Sequence, residues 1–238
     1  MISCKTDTGK LTEIQGKQIP IDSTVSPNDS IASFVAPYKM RINEVLDSTL
    51  TYAPKPLLLD DGDRNTSMGN LMADIVLDET APIFKSRTGN ELDFVVLNYG
   101  GVRSVISQGK VSARNAYEVM PFENYIEVVE LSGSATRKLL DFLAKASRSH
   151  PVAGIQIVTD RNGSLESVNI QGEPFDETRN YFVATSDYLV NGGPSVGFFD
   201  EIISTTDTDY LLRNAIIDHF KKVDTLKATV DDRFIQLD

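Results

Sequence analysis

Apolar residues recur along the chain at two spacings, and the switches between them divide it into elements. The first periodic stretch is Ile31, Phe34, Val35, Tyr38, Ile42, Val45 and Leu46. Its i, i+3, i+4 recurrence behind Asn28-Asp29-Ser30 predicts an amphipathic helix, interrupted or begun again near Pro37. Residues 48–52 read as extended and residues 57–63 as an apolar turn into an acidic loop. Residues 68–84 read as a second helix, carrying Leu71, Met72, Ile75 and Val76 and ending near Pro82. The short apolar run over 93–97 has the character of a buried strand and delivers the chain into Asn98-Tyr99-Gly100-Gly101-Val102-Arg103.

Beyond that loop the pattern predicts a helix over 112–120, a strand over 125–131, and a helix over 134–146 with Leu139, Leu140 and Leu143 facing inward. Strands over 155–159 and 165–170 flank Asp160-Arg161-Asn162-Gly163, a hairpin signal. A strand over 181–185 leads into a second Gly-Gly loop at Asn191, and a helix over 208–222 and a strand near Phe234 follow. Residues 1–28 are polar with little periodicity, so they read as a tail ahead of one domain over 29–238. Helices mixed with hairpin-capable strands, without repeats or low-complexity segments, indicate an α/β (α+β) fold of mixed sheets layered with helices.

Composition narrows the function classes. The 238 residues, 41% of them hydrophobic and 24% charged, are enough for a sizeable core of ordinary globular character. With 23 Lys and Arg against 34 Asp and Glu, the formal net charge of −11 repels phosphate backbones and anionic lipid, which argues against nucleic acid as a partner. A small phosphorylated ligand stays open, because two or three nearby arginines outweigh a distant average at close range. The single cysteine, Cys4, excludes an internal disulfide and a Cys-rich zinc site, and the two histidines, His150 and His219, restrict metal chemistry; both read as structural or surface residues. No run of about 18 apolar residues spans a membrane and no apolar h-region precedes a cleavage site. Met1-Ile2-Ser3-Cys4-Lys5 resembles the segment around the lipidated cysteine of a bacterial lipoprotein, implying a periplasmic or cell-envelope location. The alternative is an ordinary start and a disordered tail.

Four loops concentrate groups suited to ligand contact: residues 64–70, 98–103, 121–124 and 187–194. They supply arginines, which grip anionic oxygens bidentately, aromatics, whose faces stack on planar rings, and glycines, which let a ligand approach the backbone. Singly none is specific, since a strand followed by Gly-Gly is ordinarily only a turn. In order they read as Arg64 followed by Met68-Gly69-Asn70-Leu71-Met72-Ala73-Asp74, then the Asn98 to Arg103 loop, then Met120-Pro121-Phe122-Glu123-Asn124, then Ser186-Asp187-Tyr188-Leu189-Val190-Asn191-Gly192-Gly193. Over roughly residues 29–225 this series resembles the C-terminal domain of the 5'-nucleotidase family, the substrate-recognising half of two-domain metallophosphatases.

The resemblance implies that Phe122 and Tyr188 clamp a nucleobase and that Arg64 and Arg103 contact the ribose and phosphate portion. It also implies that Asn98 hydrogen-bonds in the same pocket and that Gly100, Gly101, Gly192 and Gly193 belong to its loops. Broad base tolerance follows, because every base has a π-face. Two positions depart from the family pattern. Pro194 stands where an aspartate commonly faces the ribose hydroxyls, and Asn65-Thr66-Ser67 stands where an acidic residue is common.

The family's hydrolysis resides in an N-terminal domain holding two metal ions. This chain lacks Asp-x-His and Gly-Asn-His-Asp clusters, so the expectation is no catalytic residue and no cofactor here, with a divalent metal pair in a separate metallophosphatase chain. Asp60-Asp61-Gly62-Asp63 lacks the later glycine and distal glutamate of a calcium loop, and no phosphate-binding Gly-x-x-x-x-Gly-Lys-Ser/Thr occurs. The expected role is the free-standing, nucleotide-binding half of a split enzyme acting on nucleoside 5'-phosphates. The alternatives are an accessory nucleotide-binding module without hydrolysis and a degenerate structural domain.

Overall fold

A five-stranded sheet organises the structure, a computed structural model that describes residues 13–193 and 199–237. Cys4 and Pro194 lie outside the described residues. In chain order the elements are α1 (Asp29–Asp47), β1 (Thr49–Ala53), α2 (Ser67–Thr88), β2 (Phe94–Val96), β3 (Gly109–Ser112), α3 (Ala113–Val119), β4 (Tyr125–Leu131), α4 (Gly133–Lys145) and β5 (Val152–Ala153). They continue as β6 (Ile155–Thr159), β7 (Leu165–Ile170), β8 (Glu173–Pro174), β9 (Tyr181–Ser186), α5 (Asp187–Val190), β10 (Ile202–Leu211), α6 (Leu212–Lys222) and β11 (Phe234–Gln236). The chain divides into two units, one ending at Ile42 and one running from Asn43, and the second contains every sheet.

In the first unit, the Asn28 side chain caps α1 by accepting from the Ser30 and Ile31 N–H groups at 3.1 and 3.2 Å. The helix runs through Pro37 without the break that residue suggests.

The sheet order is β10-β4-β9-β2-β5. Strands β2 and β9 are parallel, and the other neighbours are antiparallel. Alternation divides the side chains between two layers. Val95, Ile126, Val128 and Ala184 pack with Leu71, Met72, Ile75 and Phe220 of α2 and α6. Phe94, Val96, Val129, Leu131 and Val183 pack with Leu139, Leu140 and Leu143 of α4 and with Ile157 and Ile170 of a second sheet, β11-β6-β7-β8. A third, two-stranded sheet joins β1 to β3. This is the α/β fold of mixed sheets and helices that the pattern anticipates.

Two boundaries differ from those read in the sequence. Helix α2 passes Pro82, which costs one intrahelical hydrogen bond, and stops at Gly89, whose φ of 79° suits glycine and whose N–H reaches the Lys85 carbonyl at 2.8 Å. Residues 208–211, expected in the last helix, instead finish strand β10, and α6 starts at Leu212. The β-branched series Ile202, Ile203, Thr205, Thr206 and Thr208 favours a strand, and Thr208 Oγ1 donates to the Ile126 carbonyl of β4 at 2.5 Å.

Gly133, the first residue of α4, lies against the chain at Glu177, where an added Cβ would come 2.0 Å from the Glu177 carbonyl oxygen. Alanine would gain helix propensity of about 1 kcal/mol but must displace backbone. Gly133→Ala should therefore lower unfolding free energy by about 1 to 3 kcal/mol in urea titrations. A gain in stability would show that the Glu177 segment yields freely.

Candidate functional site

Because β4 and β5 run opposite to β2 and β9, the ends of β2 and β9 and the starts of β4 and β5 lie at one end of the sheet. Four segments distant in sequence meet there and enclose a cavity of about 510 Å³. Asn98, Tyr99, Gly100, Gly101 and Arg103 line it from beyond β2, Phe122 and Asn124 from before β4, Arg148 and His150 from before β5, and Tyr188 from beyond β9. Its size suits a small organic ligand, and among the described residues that line it there is no Asp or Glu.

The first wall is a single 3-10 turn, Tyr99–Gly101, closed by Gly101 N–H to the Asn98 carbonyl at 3.0 Å. A Cβ on Gly101 would stand 2.9 Å from Asn98 Oδ1, so the glycine leaves room for the amide. Arg103 N–H bonds the Val119 carbonyl at 2.9 Å, tying this wall to the end of α3, and its guanidinium reaches, among the described residues, only the Gly100 carbonyl, at 3.3 Å.

Arg213 of α6, itself buried, holds the second wall. Its Nη1 donates to the carbonyls of Met120, Pro121 and Phe122 at 3.5, 3.3 and 3.2 Å, and its guanidinium lies 4.4 Å from the Tyr117 ring centroid. The Phe122 ring is thereby left at the cavity while its backbone is fixed.

The third wall follows α4. His150 presents Nδ1 to the Leu97 carbonyl at 3.3 Å and packs edge-on to Phe142, with ring centroids 5.3 Å apart. Burial holds its pKa below the usual imidazole value, so the ring is neutral near pH 7. With Nδ1–H donating to Leu97, Nε2 is the acceptor.

The fourth wall is Tyr188. Gly192 and Gly193 support it rather than line the cavity. Gly193 N–H bonds the Tyr188 carbonyl at 2.7 Å, and a Cβ there would stand 3.0 Å from Tyr188 Cε1. Gly192 has φ of 101°, in the region that favours glycine.

Of the residues singled out in sequence, the structure brings together Asn98, Gly100, Gly101, Arg103, Phe122 and Tyr188. Arg64 does not join them. Its guanidinium closes the end of α4, donating to the carbonyls of Leu143, Ala144 and Ala146 at 3.2, 2.8 and 3.2 Å, and lies 4.3 Å from the Phe234 ring centroid. The rest of that motif is also scaffold. Asn70 Nδ2 donates to Asn65 Oδ1 at 2.7 Å and to the Thr229 carbonyl at 2.8 Å, Thr66 caps α2, and Asp74 pairs with Arg233 at 2.8 Å. Tyr99 and Asn124 lie within the quoted motifs but were not singled out for the site. Arg148 and His150 belong to none, and only the order of strands places them here. Among the described residues, no three His, Cys, Asp or Glu side chains gather to hold a metal ion, and no helix is long and apolar enough to cross a membrane.

Comparison with known proteins agrees with this geometry. A family model described as 5'-nucleotidase, C-terminal domain, matches residues 54–201. The Escherichia coli protein UshA is 23% identical over 219 residues, covering 87% of this chain and 37% of that protein. The Listeria monocytogenes cell wall protein Lmo0130 is 24% identical over 211 residues, covering 78% of this chain and 26% of that protein. Among solved structures, a 5'-nucleotidase precursor from Thermus thermophilus superposes with a TM-score of 0.72 at 23% identity, covering 90% of this chain and 44% of its own, and so shares the fold. The chain thus spans less than half the length of these proteins.

The two arginines separate by experiment. Arg64→Ala strands three carbonyls and should cost about 2 to 4 kcal/mol of stability, whereas Arg103→Ala should cost less than about 1 kcal/mol. Urea denaturation of both variants measures the difference. Equal losses would remove the distinction between a supporting and a ligand-facing arginine.

Proposed function

The chain belongs to the 5'-nucleotidase C-terminal domain family, and from that membership we propose that its cavity binds nucleoside 5'-phosphates, making it the substrate-recognition part of a 5'-nucleotidase-type phosphohydrolase in nucleotide catabolism. The observation that carries this reading is a pair of aromatic rings, Phe122 and Tyr188, 42% and 48% exposed on segments flanking adjacent strands and lining one cavity with Arg103. Exposed rings at fixed loop positions offer flat faces to a planar base, and stacking contributes about 1 to 3 kcal/mol per ring whatever the base. In this reading Arg103 meets the phosphate with charge-assisted hydrogen bonds, and the Asn98 amide orients the ribose or base edge.

Among the described residues no cluster of His, Cys, Asp or Glu fits a divalent metal pair, and in this reading the chain binds and orients the substrate. A separate metallophosphatase chain supplies the metal-activated attack on phosphorus. A cell-envelope location accords with the name of the Listeria relative, a cell wall protein, and lipidation of Cys4 would supply the anchor in this reading.

Calorimetry tests the clamp. Phe122→Ala and Tyr188→Ala should each weaken AMP binding by about 1 to 3 kcal/mol and leave ribose 5-phosphate, which has no base, nearly unchanged. A large loss of melting temperature with unaltered AMP affinity would make the rings core residues and sink the clamp. The division of labour has its own assay. Alone the chain should not hydrolyse AMP, and a metallophosphatase chain with manganese should hydrolyse it faster when this chain is added. AMP binding without any such gain would favour the accessory, non-catalytic module.

A further inference from the structure

We propose that Arg148 is a second anion-binding residue of the cavity, meeting the ligand's phosphate from the segment between α4 and β5, beside the turn that carries Tyr99. The inference rests on the nucleotide reading above and adds to it a residue outside every motif that supports that reading.

Three observations converge on Arg148. It lines the cavity on the segment between α4 and β5, and its guanidinium lies 5.3 Å from the centroid of the Tyr99 ring, itself part of the wall. Among the described residues it has no carboxylate partner. In a chain of net charge −11, where Arg87, Arg114, Arg137, Arg179, Arg213 and Arg233 each pair with an acid, a guanidinium without an acidic partner among the described residues, at a cavity whose described lining holds no Asp or Glu, is a ready anion site.

The third observation is that the segment carrying Arg148 is fixed on both sides while the side chain stays exposed. Arg64 holds the carbonyls of Leu143, Ala144 and Ala146 before it. After it, Ser149 Oγ donates to the Asp63 carbonyl at 2.9 Å, His150 Nδ1 meets the Leu97 carbonyl, and Leu97 N–H reaches the Pro151 carbonyl at 2.9 Å. A cation on a fixed loop loses less freedom on gripping a ligand than one on a mobile loop. A guanidinium presents paired N–H donors that match two phosphate oxygens. With Arg103 on another wall, Arg148 selects for phosphorylated ligands over nucleosides.

The competing role is structural, with Arg148 merely steadying Tyr99 by its cation–π contact. Titration calorimetry of AMP and adenosine against the full chain, Arg148→Ala and Arg148→Lys, at low and high salt, separates the two. The expected result is a loss of about 10- to 100-fold in AMP affinity for Arg148→Ala, with adenosine changed less than about threefold and a shallower salt dependence. Arg148→Lys should fall between, since it keeps the charge and loses the fork. Equal losses for AMP and adenosine would assign Arg148 to Tyr99 packing, and unchanged AMP affinity would remove it from the site; either overturns the proposal while AMP binding by the unaltered chain keeps the nucleotide reading. Failure of the unaltered chain to bind both ligands would overturn the reading and the inference together.

Discussion

Asp93, just before β2, fixes the alignment on which the cavity depends. Its Oδ2 accepts the Phe182 N–H at 2.7 Å, its own N–H reaches the Phe182 carbonyl at 2.9 Å, and its Oδ1 pairs with Arg179. Burial pushes the Asp93 carboxyl above the usual carboxylate range, and the Phe182 N–H and Arg179 oppose that shift. These contacts set the parallel register in which Phe94 faces Val183 and Val95 faces Ala184. A slip of one residue would exchange the two faces of β2, placing Phe94 and Val96 where Val95 packs. The same register puts the Asn98 loop and Tyr188 at neighbouring carboxyl ends, where open sheets that contain parallel strands characteristically leave a crevice. Antiparallel β4 and β5 then deliver Phe122 and Arg148 to that end without any further device.

Once the strands are aligned, the loops still need fixing, and two arginines do it in the same way. The last carbonyls of a helix have no partners inside it, and a guanidinium can collect several from one side. Arg64 does so at the end of α4 and Arg213 just beyond α3, each with its flat face near an aromatic ring, Phe234 and Tyr117 respectively. The loops they hold carry Arg148 and Phe122. In this structure Arg64 meets the loop that carries Arg148 through backbone carbonyls.

Much of this was legible in the chain. Helix and strand periods located the long helices and the core strands but missed β3, β5, β8, α5 and β10, and the Asn98, Phe122 and Tyr188 motifs gave three of the four walls. What escaped has physical reasons. Strand β10 reads as polar because much of it is exposed, so no apolar period marks it. Pro82 looks like a helix end because a chain pattern does not show that one lost hydrogen bond is tolerated inside a packed helix. Arg64 resembles a ligand arginine because a guanidinium suits carbonyls and phosphates equally, and only the tertiary position of the α4 end distinguishes them. Arg148 and His150 carry no local signal at all. They reach the site because β5 adds to the edge of the sheet beside β2, a fact of topology rather than of spacing.

The charge distribution follows a similar division between the average and the local. A net charge of −11 disfavours a long polyanion, which must lie along the surface and meet that field over its whole length. A mononucleotide in the cavity would feel nearby charges far more than distant ones, because salt screens beyond about 8 Å, and the described lining holds two arginines and no carboxylate. His150, its pKa held below the usual imidazole value by burial, leaves Arg103 and Arg148 as the cationic side chains of the described lining. For the proposed ligand, an acidic net charge combined with two arginines at the cavity would oppose polymeric phosphate along the surface while leaving a single nucleotide within reach of the arginines.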